Sequence, residues 1–128
     1  MKKTFLIISL LGILAACGSG SEKKADAETA PAKTENLSDN PDYQKGLEIA
    51  SKSDCFTCHK IDEKNIGPAW RDVANKYAGQ DTAVKYLAHK IVTGGSGVWG
   101  EVPMAAHPTF THEDAEAVAK YVLLLKNK

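Results

Sequence analysis

Cys55-Phe56-Thr57-Cys58-His59 decides how the rest of the chain is read. Two thiols three positions apart share one turn of a helix. Each can add across a vinyl group on the same edge of a porphyrin. The residue that follows brings an imidazole beneath the metal as the proximal ligand. The order C-x-x-C-H is the attachment signature of a c-type haem. Without the histidine, the pair would also suit a redox dithiol or half of a zinc site. A zinc site wants two more ligands at comparable spacing, and the chain has only 3 cysteines. A thioredoxin-like dithiol wants a β-α-β setting, and no strand-rich pattern surrounds this stretch.

The third cysteine has its own explanation. The chain opens Met1-Lys2-Lys3, runs apolar from Phe5 to Leu14, and continues Leu14-Ala15-Ala16-Cys17. A basic start, a short apolar run and a small-residue end make a secretory signal over residues 1–16. The run is shorter than the roughly 20 residues that span a bilayer. The small-small-Cys ending resembles a bacterial lipobox, with Cys17 as the lipidated first residue. Acyl groups on both its thiol and its amine would anchor the chain stably. One cysteine then takes lipid, two take haem, and none is left for a disulfide.

Residues 17–39 read as a tether. They combine Gly-Ser pairs with Lys, Ala, Glu, Thr and Pro and hold almost no large apolar side chain. Such a segment buries too little surface to offset its ordering entropy. Roughly 20 flexible residues reach about 25 Å. Removing Lys2 and Lys3 from 16 basic and 16 acidic side chains leaves a formal charge of −2. That balance excludes nucleic acid as a natural partner.

Residues 40–128 form one small domain whose core is marginal alone. Asn40 with Pro41 starts a helix to about Ser51. Pro68-Ala69-Trp70 leads into a short helix ending at Gly79. Asp81 is expected to cap a third, with Val84, Leu87, Ala88 and Ile91 on one face and Gly94 as its stop. Thr111 and Asp114 start a last helix carrying Val118, Val122 and Leu125. Between Gly94 and Phe110 lies a loop rich in glycine and proline. The expected fold class is all-α: about four short helices around one covalently attached haem, with one long irregular segment.

An iron held from below by His59 needs an answer on its other face. Met104 is the only methionine left once Met1 departs with the signal, so a thioether ligand must be Met104. The rivals are His89, His107 and His112, of which His107, three residues past Met104, is the strongest. A thioether in place of imidazole favours ferrous iron and raises the potential.

Three blocks extend the reading: Cys55-Phe56-Thr57-Cys58-His59-Lys60, Ile66-Gly67-Pro68-Ala69, and Gly97-Val98-Trp99-Gly100-Glu101-Val102-Pro103-Met104. In order and spacing they resemble the class I cytochromes c, in particular the small bacterial c-551/c-552 type. The resemblance covers nearly all of residues 40–128. It implies thioether bonds at Cys55 and Cys58, axial bonds from His59 and Met104, and haem c as the single cofactor. It implies that the Pro68 carbonyl accepts from the far nitrogen of His59, that Trp99 reaches a propionate through its indole N–H, and that Lys90 lies near a propionate. It places Tyr121 on the last helix against the first, near Gly46. The family often follows its methionine with two prolines and an asparagine. Here Ala105, Ala106 and His107 stand there, so a hydrogen bond from that asparagine to the sulfur does not carry over.

These features point to an electron carrier and not an enzyme, exported and lipid-anchored, facing the periplasm or the cell exterior. Its expected partners are larger redox proteins such as a quinol-oxidising complex, a terminal oxidase or a reductase. A haem enzyme or gas sensor with an exchangeable sixth ligand is the alternative, and a haem-free dithiol oxidoreductase a third.

Overall fold

A computed structural model describes residues 36–127. The signal at 1–16, Cys17 and most of the 17–39 tether lie outside them. The described residues contain five α-helices and one small hairpin: α1 (Pro41–Lys52), α2 (Cys55–Cys58), α3 (Trp70–Tyr77), α4 (Ala83–Thr93), β1 (Gly95–Gly97), β2 (Gly100–Met104) and α5 (His112–Leu124). The architecture is the mostly helical one expected, with the four-residue α2 as an addition over the Cys55–Cys58 motif.

Residues Leu37–Asp39 form a 3-10 turn before the boundary expected at 39–40. Composition hid it because polar groups hold it: Asn36 caps it, and Gln44 Nε2 donates to the Ser38 carbonyl at 2.8 Å. Helix α1 starts as read. Asn40 Oδ1 accepts from the amides of Asp42 at 2.9 Å and Tyr43 at 3.2 Å, and Pro41 fills the first position. Such a cap contributes about 1 kcal/mol. Helix α5 likewise begins at Thr111, which accepts from the Asp114 amide at 3.1 Å.

Helix α4 departs from expectation at its start. Asp81 does not cap it; Thr82 holds that position, without a side-chain bond. The Ala83 amide instead donates to the Gln80 carbonyl at 3.0 Å, so a backbone turn satisfies what a side chain would have. Helix α3 has no capping side chain either. Its first amides, Trp70 and Arg71, donate to the carbonyls of Lys60 and Ile61, both at 2.9 Å. The loop after His59 is thus stitched to the helix that follows.

Helix α5 is the spine of the core. Val118, Tyr121, Val122 and Leu125 are buried against α1, α3 and α4, together with Trp70, Val73 and Ile91. Each valine buried in this way contributes roughly 1.5–3 kcal/mol. Where α1 crosses α5, Gly46 lies so close that an added Cβ would overlap the Ala117 carbonyl oxygen and Tyr121 Cβ. Glycine is required there by contact, as the expected Tyr121–Gly46 packing implies. Arg71 ties the end of this assembly together: its Nη1 donates to the Leu125 carbonyl at 2.6 Å, and its Nε pairs with Asp62.

The segment between Gly94 and Phe110 is more regular than its glycines imply. Strands β1 and β2 pair antiparallel, Gly95 opposite Met104 and Gly97 opposite Gly100. The glycines conceal the alternation that a strand normally shows. They also make the hairpin possible, since Gly97 and Gly100 have φ of 111° and 118°, values that side chains rarely tolerate.

Candidate haem site

One cavity of about 520 Å³ takes in most of the residues singled out above. That volume is in the range of small-molecule and cofactor sites. Cys55, Cys58, His59 and Pro68 line it, as do Lys90, Trp99 and Met104 from the α4–hairpin region. Helix α5 closes it with Val118 and Val122.

The motif is presented by a strained entry. Asp54, immediately before α2, has φ 57°, the left-handed region that aspartate tolerates better than most residues. Its carbonyl accepts from the Thr57 amide at 3.0 Å, closing the turn that sets the two thiols on one side. Burial pushes the Cys55 thiol above its ordinary pKa, and the neighbouring Asp54 and Cys58 add to that. A redox-active dithiol needs the opposite shift, because the thiolate is the nucleophile. Among the described residues there is no group of three or more His, Cys, Asp or Glu side chains that could hold a metal ion.

His59 is held on every side. Its amide donates to the Cys55 carbonyl at 3.0 Å, and its Nδ1 lies 2.8 Å from the Pro68 carbonyl oxygen. A carbonyl only accepts, so Nδ1 carries the proton and Nε2 keeps its lone pair for a metal. Trp70 stacks on the ring at 5.7 Å between centroids, tilted 19°. Gly67 lies against the other approach: an added Cβ would come within 2.8 Å of Nδ1 and 2.9 Å of Nε2. The sequence placed Gly67 in a block but gave it no task. The signal was its position directly before Pro68, where a side chain would reach the ring.

Met104 ends β2, half-buried and packed against the core. Its position is set from α4, where Gly94 (φ 66°) ends the helix so near the returning chain that a Cβ would sit 2.5 Å from the Met104 carbonyl oxygen. Of its rivals, His89 and His112 are exposed and do not line the cavity, whereas His107 is half-buried and does. Trp99 stands at the hairpin tip, 38 % exposed, with Lys76 Nζ 5.5 Å from its ring centroid. Lys76 was not singled out from the sequence. Lys90 Nζ lies 5.8 Å from the centre of the Tyr86 ring, which also lines the cavity.

An apolar cavity, a thiol pair on one wall, an imidazole with a free lone pair and a thioether suit a flat macrocycle fixed by one edge. Cationic side chains at the mouth suit its carboxylates. The residues fit a c-type haem, and the site defines a class: single-haem cytochromes with a helical fold.

Comparison with known proteins gives the family. The cytochrome c family model matches residues 43–126, and the chain belongs to that family. Cytochrome c-552 of Nitrosomonas europaea is 45 % identical over 83 residues, covering 65 % of this chain and 81 % of that one. Cytochrome c-552 of Hydrogenobacter thermophilus is 47 % identical over 79 residues, covering 62 % and 80 %. The crystal structure of the wild-type Nitrosomonas europaea cytochrome c552 superposes with a TM-score of 0.60, covering 62 % of this chain and 99 % of that one. The chain has the class I cytochrome c fold, carries one haem c attached through Cys55 and Cys58, and is an electron carrier, not an enzyme.

Proposed function

We propose that this electron carrier works on a membrane surface, tethered by lipid on Cys17, and passes single electrons between larger redox proteins of a respiratory chain. His59 and Met104 are its axial ligands. The observation that carries this reading is their meeting in one cavity: His59 Nε2 bears a lone pair, and Met104 is anchored from α4 beside the same space. The haem supplies a one-electron ferric–ferrous couple. The protein's residues do the rest. The Pro68 carbonyl fixes the His59 tautomer and strengthens the ring as a donor. The Met104 thioether favours the reduced state and raises the potential. Val73, Val118 and Val122 exclude water from the interior of the site. Trp99 and Lys90 offer a donor and a cation to the propionates.

If His59 and Met104 both held the iron, no position would remain for a substrate, as electron transfer requires and gas sensing does not. Ile66, Val98 and Val102 are exposed around the cavity mouth and support docking through apolar contact. Near-neutral charge agrees with a partner that is not strongly steered. Quinol-oxidising complexes, terminal oxidases and reductases are partners of this kind. The signal and lipobox support export to the periplasm or the cell exterior. Among the described residues no helix is long and apolar enough to cross a membrane.

A visible spectrum of both redox states with a potentiometric titration tests the axial pair. His/Met ligation gives a weak red charge-transfer band in the ferric form and a high midpoint potential. A missing band with ready carbon monoxide binding would favour the sensor reading instead. Cys17→Ser, followed by membrane fractionation and labelling with a radioactive fatty acid, tests the tether; an unlabelled wild-type protein rules it out.

A further inference from the structure

His107 is the one histidine besides His59 that lines the cavity, among the described residues. It and Met104 end a four-residue segment hung on the last turns of α4. At one end Gly94 abuts the Met104 carbonyl and the Ala106 amide, where an added Cβ would fall within 2.9 Å of that nitrogen. At the other, the His107 amide donates to the Ile91 carbonyl at 3.1 Å. Both side chains therefore leave a backbone positioned by the same helix. Ala105 and Ala106 between them are small and exposed. The His107 ring rests on Phe110 at 5.5 Å, and no hydrogen bond holds either of its nitrogens among the described residues. It is a half-buried imidazole that lines the same cavity as Met104.

We infer that His107 is a reserve ligand for the haem iron, taking the sixth position when the Met104 sulfur is withdrawn. This rests on the reading of Met104 as resident ligand. Thioether suits ferrous iron, and imidazole holds ferric iron well. The sulfur can be withdrawn by substitution or by oxidation. In the second case hydrogen peroxide gives one oxygen atom to sulfur, which loses two electrons, and the remaining oxygen leaves as water. A chain without a reserve ligand would then expose an open iron. Here the position closes again, at a lower potential.

The test compares holoproteins of Met104→Ala, Met104→Ala/His107→Ala and Met104→Ala/His107→Asn. The asparagine keeps polarity without imidazole, so a folding defect of the alanine variant does not decide the result. Mass and circular dichroism establish haem attachment and helix content in each. Met104→Ala is expected to stay low-spin, with the electron paramagnetic resonance of a bis-imidazole haem. Its ferrous form should bind carbon monoxide at least about tenfold more weakly than either double variant, as a competing ligand requires. The doubles should be high-spin, and added imidazole should return them to low-spin. Peroxide-treated wild type, its Met104 sulfoxide located by mass, should match Met104→Ala. A high-spin Met104→Ala that binds carbon monoxide as tightly as the doubles overturns the inference alone. A wild-type protein without the thioether charge-transfer band overturns the Met104 reading, and the reserve role with it.

Discussion

The two sides of the haem cavity are built in opposite ways. The His59 side, residues 54–71, is closed by hydrogen bonds at nearly every step. Beyond those to His59 itself, the Gly67 amide donates to the Cys58 carbonyl at 2.9 Å and Asn65 Nδ2 to the Thr57 carbonyl at 3.0 Å. The Met104 side, residues 94–107, is a hairpin of exposed residues with three positive-φ glycines past Gly94. Outside its own strand pairing it is fixed chiefly at its ends, by Gly94 to Lys90 at 2.8 Å and His107 to Ile91 at 3.1 Å. The side that must hold a covalent cofactor is rigid, and the side that carries Met104 is a clip supported at two points.

The strongest way to test that contrast is to remove the ligand proposed for the clip, Met104. Met104→Ala is expected to lower the midpoint potential by about 0.2 V, within the range of about 0.8 V that axial ligands span. That is about 4.6 kcal/mol per electron. Potentiometry measures it, and haem content should not change, because the His59 side holds the cofactor. A midpoint equal to that of the wild type would remove Met104 from the ligand set.

Gly67→Ala attacks the rigid side. Its Cβ meets the His59 ring from a backbone that cannot retreat, so an overpacking cost of about 2 kcal/mol is expected. Denaturant unfolding of the holoprotein reads the loss, and reduced haem incorporation should accompany it. Full stability with an unaltered spectrum would show the rigid side to be softer than argued.

Gly97→Ala strains the clip at a position with nothing within 4 Å of an added Cβ, so only backbone conformation is at issue. A cost of about 1 kcal/mol is expected. Added imidazole should displace Met104 more readily, while haem attachment stays complete. Equal imidazole affinity in variant and wild type would uncouple hairpin geometry from ligand hold.

The smallest effect lies behind both sides, in the core. The Tyr121 hydroxyl is buried without a hydrogen-bond partner among the described residues. Burial, with Tyr43 alongside, pushes its pKa from 10.0 up to about 12. A raised folded-state pKa gives stability that is complete below the unfolded value and is lost as pH rises from about 10 to 12. Tyr121→Phe is expected to be neutral, or stabilising by up to about 1 kcal/mol, at pH 7. It should also flatten the loss of stability at alkaline pH. Unfolding curves at pH 7 and pH 11 measure both, and an unchanged alkaline slope would acquit Tyr121.

The contrast also explains what the sequence made legible. The rigid side was readable because its chemistry is local: Cys55, Cys58, His59 and Pro68 lie within fourteen positions and announce their roles by type. Met104 was reachable by elimination as a candidate ligand, and it lines the cavity. Helices with side-chain caps, at Asn40 and Thr111, were found, and α4 was misjudged at Asp81 because a backbone turn capped it. The hairpin was hidden because its glycines erase the alternation of a strand. Gly67 and Asp54 were missed because close approach and left-handed backbone are properties of a folded chain, with no side chain to signal them. Lys76 meets Trp99 only through the fold.

One bond described earlier bears on how the haem loop is tied to a distant part of the chain. Arg71, at the start of α3, reaches the carbonyl of residue 125. That acceptor belongs to the backbone, so the bond ignores which side chain stands there and depends only on the chain having got that far. Through Asp62 the same guanidinium grips the loop that follows His59. Removing residue 125 would leave every haem-binding side chain in place and cut this fastening, so the haem loop is tied to backbone 54 positions away from Arg71 in sequence.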